Sequence, residues 1–418
     1  MRQLALLLLL AAALPALAGE GASSVARVKG LPVATTQESA VRAALRGAAT
    51  GHDTTIEEWV RIARVASLPG KEAERAKLVR SLFEQAGLVA RILPDGNVEA
   101  RMPGTGSGLP AVISAHLDAL HAPSSDASVR LQDSVMVGPG ILDDASGLVA
   151  LTRAARLLAQ SGWKPQREVR FVATVGEEVG LIGAKSYLDA NPRLAAFVTV
   201  DGILGAVDYG ATGIRWTRYR LIGKGGHTLL ADRTPSPSFA AGRAIAAIAS
   251  IEESHEAAIN VGMIEGGTAP NAIPVEVNFT VDLRSDDADE LSSLASDITR
   301  VVRAAADRES VTLQVESMQD LPAAQLPGFG DSPLVKGAID VLSYLDVQAT
   351  AAPRGSADHN AALLRGIPGI AVGSTTGRHA HAPEETADPR LLERGVEQVI
   401  LLTVLLGEGL PEAGAVAQ

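Results

Sequence analysis

The sequence predicts an α/β fold: a mostly parallel sheet flanked by helices, with a second unit of β-α-β-β-α-β order inserted into it. Three observations carry that expectation. Between Ala111 and Val200, short apolar runs alternate with helical segments, the pattern of parallel strands joined by crossover helices. From Ile214 to Glu316 the pattern changes to strand, helix, strand, strand, helix, strand. His116, Glu177, Glu178 and Asp201 each trail an apolar run closely, as side chains gathered at the carboxyl edge of an open sheet do.

The chain has 418 residues, 46% hydrophobic and 20% charged, the balance of a globular protein long enough for two domains. Only 3% are aromatic, so the core is expected to be built from small aliphatic side chains on closely packed elements. A formal charge of -11 without any basic run excludes an electrostatic nucleic-acid surface. There is no cysteine, hence no disulfide framework.

Taken in order, residues 1–18 combine Arg2, an apolar core from Leu4 to Leu14 and the small-x-small pattern Ala16-Leu17-Ala18. They are expected to form a cleaved export signal, which places the protein in the periplasm or outside the cell. The apolar stretch is shorter than the ~20 residues a spanning helix needs, and no later segment qualifies. Residues 19–50, rich in Ala, Gly, Ser and Thr, read as a loosely held leader. Thr54 with Glu57 three residues on has the form of a capping box and predicts a helix start. A second helix runs from Glu72 to Gln85, and Asp95-Gly96 turns a hairpin between Val89–Leu93 and Val98–Met102.

Strands are then expected at Ala111–Ala115, Val169–Val175 and Phe197–Val200, with helices at Ser146–Ala159 and around Gly183–Asp189. In the first of these helices Leu148, Leu151, Ala155 and Leu158 share one face, and Gly162 suits its stop. The next elements are a strand at Ile214–Gly223, a helix at Ser238–Ser250, strands at Ala257–Ile264 and Val275–Leu283, a helix at Ala288–Ala306 and a strand at Val311–Glu316. That order is the ferredoxin-like split unit, so residues 209–320 read as an inserted domain between two parts of the main domain, 51–208 and 321–418. The Pro- and Gly-rich stretch Leu321–Pro333 brings the chain back, and the last ten residues read as a frayed tail.

Two adjacent acids, Glu177 and Glu178, end the run that starts at Val169. Delivering them to the edge of a buried sheet carries a desolvation cost that a bound cation offsets. With His116, Asp143, Asp201 and His381, Glu178 makes five candidate His and carboxylate ligands of the kind zinc takes. Five ligands suit two metals if one carboxylate bridges, and metals ~3.5 to 4 Å apart together activate water and polarise a carbonyl. Charge agrees, because two divalent cations, three carboxylates and one hydroxide leave the centre near neutral.

The motifs that hold these residues are Ser114-Ala115-His116-Leu117-Asp118, Gly140-Ile141-Leu142-Asp143-Asp144, Gly176-Glu177-Glu178, Thr199-Val200-Asp201-Gly202 and His381-Ala382-Pro383-Glu384-Glu385. In this order they resemble the di-zinc metallopeptidases typified by peptidase T, carboxypeptidase G and the aminoacylases, over nearly all of the chain after its signal. The resemblance implies that Asp143 bridges two Zn2+ ions, with Co2+ or Mn2+ as other possible metals. His116 and Asp201 then complete one site, and Glu178 and His381 the other. Asp118 would hold His116 from behind, Asp144 would share a cis peptide with Asp143, and Glu177 would be the general base and acid. His379 competes with His381 for one ligand role; His381 is preferred because Glu385 follows it at the family's spacing.

The resemblance extends to the insert. His227, in Gly225-Gly226-His227-Thr228, would stabilise the oxyanion in a neighbouring subunit's site. Asn271 and Arg284 would hold the substrate, Arg284 gripping a carboxylate with its planar fork. Gly355 opens a loop, Gly355 to Asn360, that resembles the family's substrate-side glycine loop. One departure stands out: Asp144-Ala145-Ser146-Gly147 and the run from Gly176 to Gly183 read more like the related lidless aminopeptidases. The expected protein is an exported homodimer, joined through the insert, that hydrolyses amide bonds of short peptides or N-acyl amino acids. A lid-bearing aminopeptidase on longer peptides and a catalytically silent binding protein of the same fold are the alternatives.

Overall fold

The computed structural model describes residues 36, 38–124, 128–229, 234–252 and 257–409. The expected export segment and all but the first residue of the expected C-terminal tail lie outside them. In chain order the first part holds helices α1 (Ser39–Thr50), α2 (His52–Ala63) and α3 (Ala73–Gln85), and strands β1 (Val89–Ile92), β2 (Val98–Met102), β3 (Ala111–His116), β4 (Arg130–Gln132) and β5 (Val135–Val137). It continues with α4 (Ala145–Ser161), β6 (Val169–Thr174), α5 (Ile182–Ala190), β7 (Ala196–Val200) and β8 (Ala206–Asp208). The insert holds β9 (Gly213–Ile222), β10 (Gly226–His227), α6 (Pro237–Glu252), β11 (Ala258–Gly266), β12 (Ala272–Ile273), β13 (Glu276–Ser285), α7 (Ala288–Arg308) and β14 (Thr312–Leu321). The chain ends with α8 (Pro333–Tyr344), β15 (Thr350–Ala352), α9 (His359–Leu363), β16 (Gly369–Val372), β17 (Gly377–Arg378), β18 (Thr386–Ala387) and α10 (Leu392–Glu408).

Two local expectations are corrected. Part of the loosely held leader is a packed helix: Val41, Ala44 and Ala48 of α1 are buried on one face, against α4. Gly47 permits that approach, since a Cβ there would meet Leu157 at 2.6 Å. An Ala-rich segment looks like low complexity in sequence, yet small residues are what let two helices pack closely. Helix α2 starts at His52, not after a Thr54 cap, and Gly51 before it offers no side chain. Tertiary packing decides this start: Trp59 and Ile62 are fully buried, and Trp59 Nε1 donates to the Ile141 carbonyl at 2.8 Å.

The main sheet has the order β1-β2-β6-β3-β7-β16-β8-β15. Its centre, β6-β3-β7-β16, is parallel, while β1 and β2 form the expected antiparallel hairpin on one flank. The parallel strands are buried along nearly their whole length, as strands covered by helices on both faces must be. The insert is an antiparallel sheet in the order β11-β13-β9-β14, with α6 and α7 packed on it. Its own core includes Tyr219, Leu221, Phe279, Leu294, Ile298 and Val302. This is the split unit the element order predicted. Because β6, β3 and β7 lie side by side and run the same way, the residues after Thr174, His116 and Val200 emerge together at one sheet edge. No helix among the described residues is long and apolar enough to cross a membrane.

Candidate metal centre

β3 delivers His116 to the edge almost fully buried, 1% exposed. Its Nε2 lies 2.7 Å from Asp143 Oδ1 and 3.9 Å from Asp201 Oδ2, while Nδ1, on the far side of the ring, is 3.4 Å from Asp118 Oδ1. The loop between β17 and β18 brings His381 Nε2 to 3.0 Å from Asp143 Oδ2 and 3.1 Å from Glu178 Oε2. All five expected ligands therefore converge, in two overlapping groups that share Asp143. His379 makes no hydrogen bond or ion pair with the cluster among the described residues, so the geometry favours His381.

The supporting bonds explain why the loops hold this shape. Asp118 accepts the backbone amides of Glu177 and Glu178 at 3.0 and 3.1 Å. That binds the two-glutamate loop to the end of β3. Asp144 accepts the His116 amide at 2.9 Å and caps α4 through the Gly147 amide at 3.0 Å. The Asp143-Asp144 peptide is cis, as the resemblance implied. Glu385 differs from expectation in detail: it reaches backbone rather than the His381 ring, accepting the amides of Leu142 at 2.5 Å, Asp143 at 2.7 Å and His381 at 3.3 Å. His121 Nε2 donates to the His381 carbonyl at 3.0 Å.

Three further supports were invisible in the sequence. Glu72 accepts the Gly176 amide at 3.2 Å, Asn97 accepts the Val175 amide at 2.9 Å, and Arg75 donates to the Leu117 carbonyl at 2.8 Å. Glu72 and Arg75 read as the polar positions of a helix, and Asn97 as a turn residue. Only their burial, at 6%, 1% and 0% exposure, sets them apart.

The electrostatics are those of crowded acids. Burial and the charge of Asp143 push Asp201 up to about 8. Burial likewise raises Glu177 well above the carboxylate range, reinforced by Asp201, Asp358 and Asp143 and opposed by His116. Asp143 moves the other way despite burial, because His116 and His381 both bond to it. His381 is raised to about 10 by Asp143 and Glu178. Protons on the imidazoles thus occupy the positions between carboxylates where divalent cations would sit, and metal binding would displace them. The donor set fits a metal: imidazole Nε2 atoms and carboxylates face one another, His116, Asp143 and Glu178 offer ligand atoms within 4.8 Å, and Glu178 Oε1 is buried without a hydrogen-bond partner among the described residues.

The other expected residues fall elsewhere. His227 and Asn271 meet on the exposed β10-β12 ribbon, where their side-chain nitrogens are 3.4 Å apart. Neither bonds to the metal cluster among the described residues. The Leu229 amide donates to His227 Nδ1 at 3.2 Å. Arg284, bonded to Asp282 at 3.1 Å, lines a cavity of about 980 Å³ at the root of the insert with Thr212, Tyr209, Phe329 and Arg354. Gly355 borders the same root, and its amide donates to Thr212 Oγ1 at 3.2 Å.

Residues 97–214 match the Peptidase family M28, and residues 209–310 match the peptidase dimerisation domain. The relatives and structural neighbours of the chain are metallopeptidases and amidohydrolases. The first match gives the departure at Asp144–Gly147 and Gly176–Gly183 its counterpart, since it covers the motif-bearing strands and stops where the insert begins. The chain is 25% identical over 408 residues to N-carbamoyl-L-amino-acid amidohydrolase of Paenarthrobacter aurescens, covering 81% of the chain and 92% of the relative. It is 26% identical over 246 residues to the uncharacterised protein YqjE of Bacillus subtilis, covering 55% of the chain and 66% of that protein's length. Its fold is similar to that of aminopeptidase PepT from Bacillus cereus, with a TM-score of 0.71 at 21% identity over 85% of this chain and 99% of the other.

Proposed function

We propose that this metallopeptidase hydrolyses amide bonds of short peptides or N-acyl amino acids at a two-zinc centre, with Glu177 as general base and acid. One observation carries the reading: Asp143 turns one oxygen to His116 and the other to His381, the arrangement of a bridging carboxylate. Asp201 on the first side and Glu178 on the second would complete the ligand pairs. When bound, the metals would supply a water of lowered pKa, near ~7, and a polarised carbonyl.

The remaining steps fall to the chain's own residues. Glu177 stands next to the ligand Glu178, and among the described residues its carboxylate has no hydrogen-bond partner, so it would take a proton from the attacking water. The same carboxyl would then hold that proton and pass it to the leaving amine. Asp118, 3.4 Å behind His116 Nδ1 and bonded under both glutamate amides, would keep ligand and base in register. Arg284 would take a substrate carboxylate at the root of the insert. His227 would donate to the oxyanion in a partner's site.

Elemental analysis of the purified protein, combined with turnover of a panel of di- and tripeptides, longer peptides and N-acyl amino acids with and without chelator, tests this. Two metal equivalents with chelator-sensitive turnover of the short substrates are expected. Absence of metal, or preference for longer peptides, would overturn the reading.

A further inference from the structure

Asp358 is a buried carboxylate that, beyond its charge near Glu177, has no part in the chemistry above. It stands at the start of α9, is 0% exposed, and its side chain does not cap that helix. Oδ2 accepts a hydrogen bond from Thr174 Oγ1 at 2.5 Å. Oδ1 is buried with no hydrogen-bond partner among the described residues. A carboxylate withdrawn from water onto one neutral hydroxyl is costly. Burial accordingly raises it to about 6.

Its partner sits at a sensitive point. Thr174 ends β6, three residues before Glu177, and its carbonyl accepts the Leu117 amide at 2.7 Å. The Thr174 hydroxyl also lies 3.3 Å from the Ala115 carbonyl. A hydroxyl has one proton to give, and at 2.5 Å against 3.3 Å it goes to Asp358. Asp358 therefore decides which way Thr174 turns. The next two residues brace the root of the insert: His359 Nε2 donates to the Gly210 carbonyl at 3.0 Å, and Asn360 Nδ2 to the carbonyls of Gly355 at 3.0 Å and Thr212 at 3.4 Å. Position 355 must be glycine for this, because a Cβ would come 2.6 Å from the His359 ring.

We propose that Asp358 is a positioning residue: through the Thr174 hydroxyl it fixes the end of β6, and with it Glu177, to the segment that braces the root of the insert. The catalytic part of this rests on the general-base reading of Glu177.

The test compares Thr174→Val, Thr174→Ser and Asp358→Ala by two readouts. One is amide hydrogen exchange over residues 174–180 of the metal-free protein; the other is kcat and KM of the metal-loaded enzyme. Thr174→Val and Asp358→Ala should each speed exchange and lower kcat by about tenfold or more, with KM and metal content little changed. The double variant should be no worse than either single one, and Thr174→Ser should behave as wild type. If Asp358→Ala does not fold, the valine and serine variants decide alone. Unchanged exchange in Thr174→Val, or loosened exchange with unchanged kcat, overturns the proposal. Loosened exchange alongside a fully active Glu177→Gln protein would instead keep the Asp358–Thr174 link and remove the general-base reading.

Discussion

The Asp143 carboxylate faces two imidazoles at once, Oδ1 at 2.7 Å from His116 Nε2 and Oδ2 at 3.0 Å from His381 Nε2. A carboxylate so placed ties the end of β3, the start of α4 and the loop between β17 and β18 into one centre. If it bridges two metals, removing a ligand from one side should empty that side first. His381→Ala should lower metal content by about one equivalent per chain, whereas His379→Ala should leave it near normal. Elemental analysis of both variants checks this, and the reverse pattern would show that the other histidine is the ligand.

Glu177 differs from Glu178 in what its carboxylate touches: Glu178 meets His381 at 3.1 Å, and Glu177 bonds to no side chain among the described residues. Glu177→Gln should therefore keep the metal while kcat falls by about 10² to 10⁴, the range for a general acid-base group. Metal content and single-turnover rates measured on the same preparation separate the two effects. A metallated variant with near wild-type turnover would remove Glu177 from proton transfer.

A second acid, far from the chemistry, gives the fold a pH dependence. Glu99 is 1% exposed, and burial alone would raise it, but bonds from Arg101, Tyr187 and Arg91 outweigh that and hold it below the usual carboxylate range. Its folded pKa is thus lower than its unfolded one. The stabilisation is present above the unfolded pKa and is lost as pH falls through the folded value. Glu99→Gln should cost about 1 to 2 kcal/mol at pH 7, toward the low end because both arginines are substantially exposed, 58% and 38%. The difference in Tm between wild type and variant should shrink steadily from about pH 5 downward. A gap independent of pH would show that the charge of Glu99 contributes nothing.

Much of this was legible beforehand because sheet periodicity and ligand chemistry are both local. Apolar runs located β3, β6 and β7, and their shared direction followed from the alternating helices, so the convergence of His116, Glu178 and Asp201 was implied before any coordinate. What stayed hidden was set by distant contacts. α1 looked like filler until α4 supplied a surface for Val41 and Ala44. Glu72, Asn97 and Asp358 are ordinary polar letters whose partners lie 104, 78 and 184 residues away.

Arg284 tests the substrate side. It is held by Asp282 at the mouth of the cavity beneath the insert, with part of its guanidinium exposed. Arg284→Lys keeps the charge but loses the planar fork, so KM should rise several-fold for substrates with a free carboxylate and much less for their amides. Equal shifts for both series would remove Arg284 from carboxylate binding.

His227 and Asn271 sit together on an exposed ribbon of the insert, while every metal-cluster residue belongs to the main sheet edge. If His227 serves a partner's site, each chain alone holds ligands and base but lacks the oxyanion donor. Glu177→Gln and His227→Ala proteins should then be separately poor, each keeping its metal. Mixed under conditions of proven subunit exchange, they should regain part of the activity, because one of the two sites in a hybrid dimer pairs an intact Glu177 with the other chain's His227. The maximum follows from counting: random exchange makes half the dimers hybrid, and each carries one competent site in two, so about a quarter of wild-type turnover is the ceiling, given an isologous two-fold dimer. Turnover of the mixture against protein concentration, with the dimer fraction followed by sedimentation, measures it. No rescue despite exchange, or a fully active monomer, would return His227 to its own chain or remove it from the reaction.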